Sequence, residues 1–196
     1  MPSAELTVLL QQIAACQVCA ASLPLGPRPV LTAGVGARVL VVGQAPGRKV
    51  HLSGVPWDDM SGQLLREWMQ VTREQFYDPE QIAIVPMGFC YPGKGASGDL
   101  PPRRECAPLW HERLLAAMPN LRCILLIGSY AQNYYLAKNK KLTLTATVQA
   151  HAEYQPRYFP LPHPSPRNRP WLMHNPWFAS EVLPQLRQAV AAALAA

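Results

Sequence analysis

The chain has 196 residues, of which 49% are hydrophobic, and this length suits one domain with a substantial buried core. Eighteen Lys and Arg residues against twelve Asp and Glu give a formal charge of +6, which favours a polyanionic partner over an acidic small molecule. No apolar run approaches the length of a membrane span and no basic region precedes the first apolar residues, so we expect a cytoplasmic protein that contacts no membrane.

Apolar periodicity and breaker residues divide the chain into helices and strands. Leucine and isoleucine side chains recur at helical spacing in the first segment, and short apolar runs bounded by glycine or proline mark the strands. Residues 138–152 fit either a strand or a helix. The predicted helices span residues 4–15, 62–69, 103–118, 128–136 and 179–195. The predicted strands span residues 38–42, 82–85, 123–127 and 157–161.

Four strands separated by helices predict right-handed crossovers between parallel strands. The fold class is therefore α/β, with a short, mostly parallel four-stranded sheet between two helical layers, and a single domain covers residues 1–196. In open sheets of this kind, ligands bind where loops leave the carboxyl ends of the strands. The loop that follows Val42 is the first candidate site, because a strand enters it and a helix leaves it.

Four of the five cysteines lie in two loop regions. Cys16 and Cys19 form a C-x2-C pair just after the first predicted helix, and Cys90 and Cys106 flank a Pro- and Gly-rich loop. In a reducing compartment this arrangement argues against a disulfide framework. Four thiolates from two loops suit one iron–sulfur cluster or one tetrahedral zinc ion, and the spacing alone does not choose between them. Cys123 lies inside an apolar strand, which indicates a core residue.

Three motifs resemble those of the uracil-DNA glycosylase superfamily. They are GQAPG at residues 43–47, G-x-P-W-x-x-x-S-G-Q-L-L at residues 54–65 and HPSPRN at residues 163–168. Together with the four cysteines, they are most similar to the iron–sulfur-containing (family 4/5-like) bacterial and archaeal members, from Cys16 to about Trp171. The resemblance implies a three-layer α/β/α fold and a [4Fe-4S] cluster on the four cysteines, with zinc as the alternative metal.

The first motif departs from the family pattern at several positions. Gln44 stands where the iron–sulfur families have Glu, and Trp57 replaces the Phe on which uracil stacks. Val50 and His51 replace an acidic pair. The Asn that reads the uracil edge in these families, shortly before the third cysteine, is absent from residues 85–89. These changes put the base specificity of the chain in question.

Base excision requires an extruded base that is held by stacking and by edge contacts, and a departing negative charge that is stabilised. The resemblance implies that His163 donates a hydrogen bond to the leaving base. Asp58 and Asp59 are the acidic residues of the first loop, and either would orient water or stabilise the cationic sugar; a helix cap is the alternative interpretation. The predicted catalytic residues are His163, Gln44, Asp58 and Asp59. The predicted base-binding residues are Trp57, Ala45, Pro46, Gly47 and His51.

Basic and polar side chains follow His163 in the third motif. They suit phosphate contacts, and an apolar side chain, Trp171 or Leu172, would fill the space that an extruded nucleotide leaves. A solvated basic loop is the alternative interpretation. The predicted DNA-binding residues are Ser165, Arg167, Asn168, Arg169 and Trp171. Two further groups are candidates for phosphate contacts: Arg103 and Arg104, and Lys138, Lys140 and Lys141.

These observations predict a DNA glycosylase that hydrolyses the N-glycosidic bond of a deaminated base, uracil by default, in base excision repair. Its partner would be DNA with the damaged base extruded from the strand, and we expect a monomer. Two alternatives remain open. One is an iron–sulfur DNA-binding protein of the same fold with weak or no catalysis, and the other is a zinc-stabilised protein that holds a nucleotide or another small ligand in the same cleft.

Overall fold

The computed structural model describes residues 4–96 and 98–195. Its centre is a four-stranded parallel sheet, and a short antiparallel hairpin lies apart from this sheet. The strands are β1 (Val39–Val42), β2 (Ile82–Ile84), β3 (Lys94–Gly95), β4 (Gly98–Asp99), β5 (Cys123–Ile127) and β6 (Tyr158–Leu161). The sheet has the order β2-β1-β5-β6, and β3 pairs with β4.

Helices connect the strands and cover both faces of the sheet. In the described part of the chain, none of them has the length and apolar character needed to cross a bilayer. The α-helices are α1 (Ala4–Ala14), α2 (Arg48–Ser53), α3 (Met60–Met69), α4 (Arg73–Tyr77), α5 (Cys106–Ala116), α6 (Gly128–Tyr135), α7 (Leu144–Gln149), α8 (Arg169–His174) and α9 (Leu183–Ala195).

The sheet divides the apolar core into two clusters, because successive side chains of a strand point to opposite faces. On β1, Leu40 and Val42 pack in one cluster, together with side chains of α1, α5 and α6. Val39 and Val41 pack in the other, with side chains of α3 and α9. This confirms the predicted three-layer α/β/α class. Cys123 is buried in the second cluster, as expected of a core residue.

The ambiguous segment is helical. Thr143 caps α7 by accepting a hydrogen bond from the backbone N–H of Ala146, and the helix buries Thr147 and Val148. The short helix α2 and the β3–β4 hairpin were not predicted. Both are too short to show a periodic apolar pattern, and their positions depend on contacts with distant parts of the chain.

We expect Phe159→Ala to lower the free energy of unfolding by about 3–5 kcal/mol, because the side chain is fully buried on β6 and its removal leaves a cavity. Urea denaturation followed by circular dichroism measures this change. Leu142→Ala is the matched control. Its side chain is 99% exposed, so the expected change is within about 0.5 kcal/mol. Equal losses in the two variants would contradict the packing of β6.

Candidate active site

The loop after β1 forms the floor of a cleft at the carboxyl edge of the sheet. Gly43 is its first residue, and a Cβ atom there would lie 2.8 Å from Cζ2 of Trp57. The backbone N–H groups of Met87 and Gly88 donate to the carbonyl oxygens of Gly43 and Gln44 at 2.9 and 3.0 Å. The floor is therefore fixed by backbone hydrogen bonds, and the missing side chain at Gly43 admits the indole ring.

Trp57 adopts an unusual backbone conformation. Its φ of 56° lies in the left-handed region, which is rare for a bulky side chain and costs of order 1–3 kcal/mol. Gly62 accommodates this turn, since a Cβ atom there would lie only 1.8 Å from the carbonyl oxygen of Trp57. The indole stacks on the imidazole of His163, with ring centroids 5.5 Å apart and planes inclined by 28°. The surroundings thus hold a strained residue so that its ring meets His163.

His163 follows β6 and lines this cleft. Asn168 Nδ2 donates to the His163 carbonyl oxygen at 2.7 Å, which fixes the backbone of the turn. The Nδ1 atom is buried and has no hydrogen-bond partner among the residues that the structure describes. Burial lowers the pKa of His163 below its usual value, although the nearby Asp59 carboxylate opposes this shift. The imidazole is therefore neutral at pH 7.

The cleft has a narrow inner part and a wide mouth. The mouth encloses about 460 Å³, within the range of small-ligand sites. The inner part is lined largely by apolar side chains, and polar groups concentrate at the mouth. Residues common to both parts are Gln44, Ala45, Gly47, Asp59 and His163. The inner part adds Val30, Gly43, Pro46, Val50, Pro56, Trp57, Ile84 and Pro86. The mouth adds Ser61, Gly98, Asp99, Ser165, Arg167 and Asn168.

The two aspartates of the first loop have different surroundings. Asp59 lines the cleft, and its Oδ1 accepts a hydrogen bond of 2.9 Å from the backbone N–H of Gly62, which caps α3. Asp58 lines neither part of the cleft, and its Oδ1 lies 3.5 Å from Arg73 Nη2. Of the two predicted catalytic carboxylates, the structure therefore brings only Asp59 to the cleft, where one of its oxygens is used in the cap.

The structure brings only some of the predicted base-binding residues to the cleft. Ala45, Pro46 and Gly47 line the cleft together with Trp57, whereas His51 does not. The His51 ring is buried on α2, with its centroid 6.1 Å from that of Tyr91. Burial lowers the pKa of His51, so it is a neutral packing residue outside the cleft.

The polar residues of the third motif lie at the mouth, as a phosphate-contacting segment would. Ser165 Oγ accepts from the backbone N–H of Arg167 at 3.3 Å, and this bond orders the turn. The arginine side chain reaches across the mouth, because a Cβ atom at Gly98 would lie 2.6 Å from its Nη1. Arg169 begins α8 and is exposed, outside the lining of the mouth.

Trp171 faces the core instead of the mouth. Its Nε1 donates to Thr145 Oγ1 at 2.9 Å, and its ring contacts Phe178 edge-on at 5.6 Å. Leu172 is also partly buried. The exposed apolar side chain of α8 is Met173, at 80% exposure, and sequence reasoning missed it because tryptophan is the larger candidate.

The two further basic groups are placed away from the cleft lining. Arg103 forms an ion pair of 2.7 Å with Glu105, and Lys141 forms one with Glu153. Neither group therefore contributes a side chain to the cleft, although both remain on the surface.

The four cysteines of the two loop regions line one small cavity beside Phe89. The backbone N–H of Phe89 donates to Cys106 Sγ at 3.4 Å. Burial, together with the smaller effect of the other three cysteines, raises the pKa of the Cys106 thiol to about 12. Among the described residues, no three His, Cys, Asp or Glu side chains are grouped closely enough to hold one metal ion. The thiols thus share a cavity without forming a closed coordination sphere.

A buried histidine connects this region to the cleft. His111 Nε2 lies 3.0 Å from the carbonyl oxygen of Pro86, which lines the inner cleft, so this nitrogen carries the proton and donates. Its Nδ1 then accepts from the Tyr135 hydroxyl at 2.7 Å. Burial lowers the pKa of His111 to about 4, which keeps this tautomer neutral at pH 7.

Sequence reasoning missed Asp99 and the hairpin that carries it. Gln44 Nε2 donates to the Leu100 carbonyl oxygen at 3.4 Å, which ties the end of β4 to the first loop. The available signal was the spacing of glycines in GKGASGD, which suits a tight turn between two short strands.

In a comparison with protein-family models, the chain matches the model described as the uracil DNA glycosylase superfamily. The match spans residues 31–187, that is 157 of the 196 residues. The matched region contains the strands of the sheet and, apart from Val30, the lining of the cleft, and it begins after Cys16 and Cys19.

We expect Trp57→Ala to raise the pKa of His163 towards its ordinary value of about 6.5, because removal of the indole hydrates the imidazole. An NMR titration of the histidine ring protons measures this pKa. Trp177→Ala is the matched control, since Trp177 packs on Trp171 and does not line the cleft. An unchanged His163 pKa in the Trp57 variant would show that the stacked ring does not control its hydration.

Proposed function

Because the chain belongs to the uracil DNA glycosylase superfamily, we propose that it hydrolyses the N-glycosidic bond of a deaminated base in DNA, uracil by default, during base excision repair. The observation that carries this proposal is the stacked pair of Trp57 and His163 at the boundary between an apolar inner cleft and a polar mouth. One ring offers a stacking surface for a base, and the other offers a neutral hydrogen-bond donor.

The leaving base requires stabilisation of the negative charge that develops as the glycosidic bond breaks. Burial keeps His163 neutral, so one ring nitrogen carries a proton that it donates in a hydrogen bond. Backbone N–H groups of the loop from Gln44 to Gly47 supply further donors at the cleft. In this arrangement, hydrogen-bond donors that are oriented before the reaction stabilise the negative charge on the base.

Recognition of the base edge would rest on Gln44 in place of the family Asn. Its side chain lines both parts of the cleft, and an amide offers one donor and one acceptor group. The Nε2 group already donates to the Leu100 carbonyl oxygen at 3.4 Å, which orients the amide. The Gln44 amide would therefore offer the base the same hydrogen-bonding groups as an Asn, from a different side of the cleft.

DNA would bind across the mouth. Ser165, Arg167 and Asn168 line it, and the chain carries a formal charge of +6. Hydroxyl, guanidinium and amide groups are the usual partners of backbone phosphates, which position DNA without reading its sequence. The exposed side chain of Met173 on the adjacent helix α8 suits the space left by an extruded nucleotide better than Trp171, which is partly buried and bonded to Thr145.

The cysteine cavity suits an iron–sulfur cluster as a resident group, with zinc as the alternative. The support for this proposal is that four thiols from two loops line one cavity. Cys16, Cys19, Cys90 and Cys106 would be its ligands. When bound, the group would supply structural support by joining the end of α1 to the loop before α5.

A second candidate function is DNA binding without catalysis. It is favoured by the absence of two features of the families that the chain resembles: the Asn before the third cysteine, and the acidic pair that Val50 and His51 replace. Asp58 lies beside Arg73 and an Asp59 oxygen caps α3, so neither carboxylate is fully available to substitute for that pair. Tight binding to abasic DNA without release of any base would distinguish this function from glycosylase activity.

We expect the protein to release free base from uracil-containing oligonucleotides under single-turnover conditions. His163→Ala should slow this step by about 10²–10³-fold, the usual effect of removing one donor to a developing anion. Trp57→Ala should also reduce it sharply, and Trp177→Ala should not. No release from uracil, hypoxanthine and xanthine substrates by the wild-type protein would contradict the proposed activity.

We expect anaerobically purified protein to contain about four iron atoms per chain and to absorb visible light, as a [4Fe-4S] protein does. Cys106→Ser should lose the iron, because it removes one of the four thiols of the cavity. Cys123→Ala is the matched control, since this cysteine lies in the apolar core away from the cavity. A colourless protein with bound zinc would contradict the cluster.

A further inference from the structure

We propose that Asp99 is a catalytic residue: it stabilises the cationic sugar and accepts the proton of the attacking water. This inference rests on the proposed glycosylase function and adds a residue that lies outside the three sequence motifs. It follows from where the positive charge of the reaction develops. With the base in the inner cleft, the sugar lies at the mouth. A carboxylate at the mouth is negatively charged and close to the sugar, so it would stabilise the cation.

Asp99 is the acidic residue of the mouth with an uncommitted carboxylate. Asp58 points to Arg73 and lines no part of the cleft. Asp59 lines the cleft, but its Oδ1 holds the N-terminus of α3 through Gly62. Within residues 4–96 and 98–195, no hydrogen bond or ion pair engages the Asp99 carboxylate, although the side chain of Lys94 stands opposite it across the hairpin.

The carboxylate lies close to the first loop. Its Oδ2 is 3.4 Å from the position that a Cβ atom would take at Gly47, immediately before α2. A side chain at position 47 would therefore stand between this oxygen and the loop backbone. Asp99 lines the same mouth as Gln44, Asp59 and His163.

One hydrogen bond closes the hairpin, and two contacts join it to the first and third motifs. The backbone N–H of Leu100 donates to the Gly93 carbonyl oxygen at 2.8 Å, and the Leu100 carbonyl oxygen accepts from Gln44. The Arg167 guanidinium lies against Gly98, where φ is +145° and a Cβ atom would be 2.6 Å from Nη1. Asp99 is thus fixed between the first and third motifs instead of lying on a free loop.

The reaction balances with these groups. The bond between the sugar carbon and the base nitrogen breaks, and its electron pair leaves with the base. His163 stabilises the resulting anion by a hydrogen bond until solvent protonates it. A water oxygen then bonds to the sugar carbon, while Asp99 accepts the water proton and passes it to solvent.

The test compares two abasic-site analogues in one oligonucleotide: a pyrrolidine, which carries a positive charge in the sugar ring, and an uncharged tetrahydrofuran. We expect the wild-type protein to bind the cationic analogue at least about tenfold more tightly, because it matches the charge of the transition state. Asp99→Asn should bring the ratio of the two affinities close to one. It should also slow base release by about 10²-fold or more.

Glu112→Gln is the matched control, because it removes one carboxylate from the exposed face of α5, away from the cleft. Its ratio of affinities should equal that of the wild type. An unchanged ratio in Asp99→Asn, or a loss of the ratio in Asp58→Asn instead, would overturn the assignment of Asp99.

The two proposals fail in different ways. A wild-type protein that releases no base contradicts the glycosylase function, whatever its affinities. A wild-type protein that releases base at the same rate as Asp99→Asn, with the same ratio of affinities, contradicts only the role of Asp99.

Discussion

The cleft depends on the entry of one indole ring at the carboxyl edge of the sheet. Trp57 reaches this position because two glycines leave room for it: Gly43 beneath its ring and Gly62 against its backbone. A methyl group at either position would displace the residue or the element behind it. Since the ring stacks on His163, the same two glycines also permit the contact that covers one face of the imidazole.

The order of the strands explains why residues far apart in sequence meet here. The chain passes from β1 to β2 on one side and then returns to β5 on the other, so the crossover direction changes beside β1. Gly43 follows β1 and Gly128 follows β5, and a Cβ atom at Gly128 would lie 3.9 Å from the Cβ atom of His163. The first and third motifs therefore converge at the crevice that this change of direction creates.

The sequence was sufficient to predict the sheet, because a strand buried on both faces reads as an uninterrupted apolar run, as in Cys123–Ile127. It also placed the loop after β1 and His163 in one cleft. The predicted side chains that lie away from the cleft, and the cleft residues that were not predicted, depend on pairings across the fold. Asp58 turns to Arg73, Trp171 bonds to Thr145, and Asp99 reaches Gly47 from another loop. Motif spacing carries no information on such contacts.

The loop between Cys90 and Cys106 has a consequence for how the cleft is ordered. Both cysteines line the same cavity, so the ends of this long loop are adjacent, and the hairpin with Asp99 lies between them. Any group that bound both thiols would close the loop and reduce the conformational entropy of everything it contains. A group bound to the thiols would then order the Asp99 hairpin at the mouth of the cleft through the connecting chain, without contacting the hairpin. Loss of that group would release this constraint on the hairpin and leave the strand pairing of the sheet unchanged.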